Sequence, residues 1–182
     1  MDQPRDPLAF PRFFNPAELG RSLQEVSTDL LRTDYKDIIS RWLHSPNDVD
    51  LFIWMDVDRN VIKQQISFYG QVVEWNLIEG VKTGLIVEDG RPGMTDAEVV
   101  RFDAKAQKGP IRQAIDLLRH IAVLKEDERN LLIRNFENPN ASTTMPPELF
   151  MERFGAILGA RQGKPSKPKL SLWQRFKAWL LK

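Results

Sequence analysis

Cysteine is absent from all 182 residues. That excludes disulfides, thiolate nucleophiles and cysteine-based zinc sites, and it agrees with a reducing compartment. Histidine is almost absent as well: His44 and His120 are the only two. Neither stands in the H-x-x-x-H spacing that sets two imidazoles on one helix face, so no metal site is expected. No apolar run approaches the roughly 20 residues of a membrane-spanning helix. The opening Met1-Asp2-Gln3-Pro4-Arg5-Asp6-Pro7 has no apolar stretch of the kind a secretory signal needs. The expectation is a cytoplasmic protein, attached to a membrane at most peripherally. Asn140-Ala141-Ser142, which matches a glycosylation acceptor, then reads as a plain loop.

Signatures of known chemistry are close to absent too. Gly159-Ala160-Arg161-Gln162-Gly163-Lys164 nearly copies a phosphate-binding loop, but it is one residue short and runs into Pro165. Asp56-Val57-Asp58-Arg59-Asn60 copies the start of a calcium loop, yet Val61 stands where glycine must turn and Ser67 where the bidentate glutamate belongs. Both patterns are rejected. No catalytic residue, cofactor-binding residue or metal ligand is assigned, and no cofactor is expected.

What the sequence does hold is ordinary globular material, 42% apolar and 28% charged. A chain of this length suffices for one domain with appendages and buries about 70% of its extended surface. Residues 1–15 form an arm with Pro4, Pro7 and Pro11, and with Phe10, Phe13 and Phe14 among them. Proline at that density forbids a regular helix. The phenylalanines suit an arm packed on the body, or else a docking peptide.

Residues 16–158 read as a single α+β domain. Pro16 suits a first helical turn. Leu19, Leu23, Val26 and Leu30, then Ile38, Ile39, Trp42 and Leu43, predict a long N-terminal helix, whole or broken near Thr33-Asp34. An antiparallel β-meander of three to four strands follows. Its first strand alternates through Val49, Leu51, Ile53 and Met55, and Asp58-Arg59-Asn60 turns into a second, Val61 to about Asn76, with a bulge at Gly70. Glu79-Gly80 leads to the third, Val81 to Glu88, and Val99, Val100 and Phe102 suit a fourth. Helices then open at Pro110, at Glu126 and at Pro146-Pro147.

Within the meander Asp48, Asp50, Asp56, Glu74 and Glu88 lie at strand ends or on strand faces. Glu74, between Val73 and Trp75, stands out because a partly buried carboxylate needs a partner. Gln65, Tyr69, Glu74 and Trp75 make up a candidate ligand face, in company with Gln64, Ser67 and Gln71. The plainer account is the solvent face of a half-buried sheet.

The strongest feature is a charge split. The chain carries 26 basic and 25 acidic residues, yet its last 22 residues hold seven Lys or Arg and no Asp or Glu. The remaining 160 residues therefore sum to −6, against +7 in the terminus. Residues 159–170 are a Gly, Pro, Ser and Lys linker, and residues 171–182 an amphipathic helix opening on Ser171 with Gln174 as a capping box. At about 100° per residue, Leu172, Trp173, Phe176, Trp179 and Leu180 fall within about a third of the circumference. Lys169, Arg175 and Lys177 supply the charge.

A helix of about 11 residues is not stable alone in water, so it needs a surface. Four compete: its own body, an anionic membrane, an acidic groove on a protein partner, and, more weakly, nucleic acid. Each basic residue near an anionic bilayer contributes about 1 kcal/mol, against an ordering cost of about 1–2 kcal/mol per residue. Membrane attachment would then be weak and would need a second contact. The function expected from this pattern is a non-enzymatic adaptor or regulatory protein that binds protein partners. A small-ligand protein or enzyme using the sheet face is the alternative, and a nucleic-acid binder the weaker one, since the acidic body opposes it.

Overall fold

Strands follow one another in space in the order they have along the chain, giving one seven-stranded antiparallel sheet, β1 to β7. The structure, a computed structural model, describes residues 14–27, 38–89 and 97–138, with residues 148, 149 and 152. A short helix α1, Pro16–Ser22, comes first, followed by β1, Gln24–Val26, and β2, Ile39–Ser45. The sheet continues through β3, Val49–Met55, β4, Val61–Phe68, β5, Gln71–Asn76, β6, Gly80–Asp89, and β7, Ala97–Phe102. Two helices close the described chain, α2, Lys108–Leu118, and α3, Glu126–Glu137.

This overturns the expected meander of three to four strands behind a long N-terminal helix. The helix stops at Ser22, and Trp42 and Leu43, expected on one helical stripe, lie in β2. The physical reason is that neighbouring strand residues point to opposite faces, so two adjacent apolar residues fit a strand covered on both sides. Leu43 enters the main core, whereas Trp42 stacks on Phe52. Pairing of β2 with β3 along their whole length, a non-local gain, outweighs a local helical period.

The expected strand from Val61 to Asn76 is likewise two. Tyr69 and Gly70 both take positive φ, 50° and 75°, and turn the chain between β4 and β5. Two consecutive left-handed residues are the geometry of a tight hairpin turn, not a bulge. The helix expected at Pro146-Pro147 falls almost wholly outside the described residues, as does the arm apart from Phe14 and Asn15. That ring lies 5.7 Å from Phe68.

One face of the sheet carries the core. Leu43, Leu51, Ile53, Ile66, Val73 and Trp75 meet Leu19 and Leu23 of the N-terminal segment, Leu117 and Leu118 of α2, and Leu132 and Phe136 of α3. Fully burying each such side chain stabilises the fold by about 1.5–3 kcal/mol.

Polar ties fix the helices in place. Asn15 caps α1 through the Glu18 amide at 3.3 Å, with Pro16 in the first turn. Buried Gln64 on β4 donates to the Leu132 carbonyl at 2.8 Å and accepts from the Asn135 amide at 2.9 Å, which seats α3 on the sheet. Arg41 of β2 holds Glu25 of β1 at 2.6 Å and also pairs with Glu128 in the first turn of α3.

Candidate binding face and terminus

The opposite face of the sheet gathers its polar and aromatic side chains. Strand register aligns Trp42, Phe52, Gln65, Glu74 and Lys82 across five strands. The Trp42 and Phe52 rings stack at 5.8 Å with an interplanar angle of 4°, and Phe52 and Trp54 stack at 5.8 Å and 22°. A second small cluster, Ile38, Trp54 and Ile62 with Phe52 and Leu77, lies apart from the main core.

Glu74 is 3% exposed, and its partners are these. Lys63 Nζ sits 2.9 Å from one carboxylate oxygen and 5.1 Å from the centre of the Trp54 ring. Lys82 Nζ lies 3.6 Å from the other oxygen, to which the Asn76 side-chain amide donates at 3.1 Å. Lys82 also meets Glu79 at 2.6 Å and rests 4.6 Å from the Phe102 ring centre. Two lysines thus face two carboxylates, and the cluster is self-neutralised. Burial opposes ionisation of Glu79, but hydrogen bonds from Lys82 and Asn76 and the nearby lysine charges outweigh it, so its pKa is lowered.

Other buried acids are similarly engaged. Asp50 Oδ1 accepts from Trp42 Nε1 at 2.8 Å and lies 2.8 Å from His44 Nδ1. Asp56 accepts from the backbone and side-chain amides of Asn60, closing the β3–β4 turn in the hairpin role read from sequence. Such groups hold shape.

The four residues of the expected ligand face do not converge. Gln65 and Glu74 are cross-strand neighbours. Trp75, one residue on, faces the other way and belongs to the main core. Tyr69 lies in the β4–β5 turn and packs against that same core. The strand period of two was enough to separate Glu74 from Trp75. Sequence reasoning missed Lys63 and Lys82 as partners of Glu74, and the stacked Trp42, Phe52 and Trp54 on the same sheet face. Only the register of β2 through β6 brings them together. Asp48 sits in the β2–β3 turn with φ 64°, and Glu88 stands opposite Glu98 in the β6–β7 register.

The terminal residues Lys169, Leu172, Trp173, Arg175, Phe176, Lys177, Trp179 and Leu180 lie outside the described residues. Among the described residues no helix is long and apolar enough to cross a membrane, and no group of acidic and imidazole side chains has the makings of a metal site. Comparison with protein-family models, with curated proteins and with solved structures gives no match.

The Arg41 cluster carries a testable pH dependence. The hydrogen bond from Arg41 holds the Glu25 carboxyl below its ordinary 4.5, with burial opposing and the Arg41 charge assisting. A carboxyl whose folded pKa is depressed adds stability above the unfolded value, and loses it as pH falls through the folded one. Thermal melts of wild type and Arg41→Met should therefore converge as the solution is taken from neutrality to below pH 4. Parallel curves would show that the pair adds nothing.

Proposed function

We propose that this chain is a non-enzymatic adaptor whose α+β body meets protein partners and whose basic, apolar-faced terminus docks it on a surface. The observation that carries this reading is the charge split, −6 over residues 1–160 against +7 over residues 161–182, joined to a stripe of two tryptophans, a phenylalanine and two leucines. A merely solvated tail has no use for that stripe. The bonds that Asp50, Asp56 and Glu74 make within the sheet add support, because these side chains hold the fold together.

Of the two docking modes we favour an anionic membrane surface over a partner's groove. Trp173 and Trp179 suit the headgroup level, where a ring is half solvated, and Arg175 and Lys177 suit acidic lipid. Co-sedimentation with phosphatidylserine-containing vesicles tests it, comparing the full chain with residues 1–160. The full chain should pellet with vesicles at low salt and the shortened chain should stay in solution. Equal behaviour of the two would leave the membrane reading without support.

A further inference from the structure

Turn tips in antiparallel sheets are normally Gly, Asn, Asp, Ser or Pro, because those residues tolerate tight backbone geometry and face water. Two tips of this sheet break that habit. Val57 stands at the β3–β4 turn and is 60% exposed, and Ile78 stands at the β5–β6 turn and is 41% exposed. Ile39, 38% exposed, begins β2. In a meander of this order all three lie at the same end of the sheet. At about 4.8 Å per strand they span on the order of 17 Å.

Several backbone donors beneath the tips are already bonded within the turns. The Asn60 amide donates to Asp56 Oδ1 at 2.8 Å, and the Arg59 amide to the Asp56 carbonyl at 3.0 Å. Asn76 Oδ1 accepts from the amides of Ile78 at 3.1 Å and Glu79 at 2.8 Å. Glu79 is neutralised by Lys82. Each donor bonded within its own turn lowers the penalty for entering an apolar medium.

We propose that this end of the sheet is a second membrane contact, with Val57, Ile78 and Ile39 entering the interface of an anionic bilayer. The proposal rests on the membrane reading above and supplies the second contact that weak terminal attachment requires. A copy of the chain is a poorer occupant. Three aliphatic side chains interleaved with Asp58 and Arg59 fall far short of the roughly 800 Å² per partner of a stable interface. A fluid, deformable surface accepts separate convex tips. The seven cations of the terminus draw the chain to acidic lipid against the opposing charge of the body, so apolar contact from the tips is what the attachment lacks.

The experiment uses the full chain and phosphatidylcholine vesicles containing phosphatidylserine. Joint Val57→Ser and Ile78→Ser substitution should weaken partition about tenfold, and equally at low and high salt, because apolar burial is not screened. Joint Arg175→Gln and Lys177→Gln substitution should weaken it chiefly at low salt. As the chain has no cysteine, Val57→Cys accepts a single environment-sensitive dye, whose emission should shift to the blue with vesicles. Wild-type binding with an unaffected tip variant and an unshifted dye overturns the inference and leaves the membrane reading standing. Failure of the wild type to bind removes both. A tip variant with altered sedimentation mass in the absence of lipid would mark a contact between copies, and would also overturn it.

Discussion

Replacing Phe68 by alanine should lower stability by about 3–5 kcal/mol, the range for truncating a buried phenylalanine. Phe68 ends β4, is 1% exposed and is among the largest fully buried side chains. It pairs in register with Val49 on one side and Gln71 on the other, and its ring lies 5.7 Å from Phe14. Its loss therefore opens a cavity where the N-terminal segment, β3 and β5 converge. The surroundings can refill it only by moving paired backbone. A loss of this size is a large part of the roughly 5–15 kcal/mol that holds a domain folded. Urea unfolding should show a lower midpoint at unchanged slope. Phe14→Ala, which removes a partly buried partner, should show a smaller loss of the same kind. A shift below about 1 kcal/mol in Phe68→Ala would mean that the cavity collapses freely.

Gly20→Ala should destabilise by about 1–3 kcal/mol, whereas Gly109→Ala should change stability by less than about 1 kcal/mol in either direction. The two changes are chemically identical and both positions are helical. At Gly20, in α1, an added Cβ would lie 2.7 Å from the Leu117 carbonyl oxygen and 2.8 Å from the His120 Cβ. Those atoms belong to α2 and its C-terminal turn, so relief requires one helix to back away from the other. At Gly109, in the first turn of α2, an added Cβ meets nothing within 4 Å beyond its chain neighbours. Pro110 follows, and its ring disfavours a helical residue bearing a Cβ before it, which offsets the freedom lost by the unfolded chain. Chemical denaturation of both variants checks the sign as well as the size. Equal effects would mean that α1 and α2 do not cross closely at Gly20.

Some of this architecture was legible because its causes are local. Asp58-Arg59-Asn60 turns because Asp56 and Asn60 close the loop between themselves, and Gly80 takes a φ of 72° that few other residues accept. The need of Glu74 for partners was legible from its apolar neighbours; their identity was not. Lys63 is 11 residues away and Lys82 eight, and nothing short of the register of β4, β5 and β6 selects them. The four residues of the candidate ligand face are divided by strand alternation, which leaves Gln65 and Glu74 side by side and sends Trp75 into the core.

By itself the sequence determined what is additive along the chain. It excludes thiol chemistry, separates seven terminal cations from an acidic body, and marks several of the turns. Tertiary structure alone decided what is pairwise and distant. Residues 24–26 and 39–45 became strands, and helical spacing lost there because pairing of β1 with β2 and of β2 with β3 satisfies backbone groups along each strand at once. It also set Val57 and Ile78, 21 positions apart, at the same end of the sheet. A local pattern fixes the periods a segment can satisfy; only its partners choose among them.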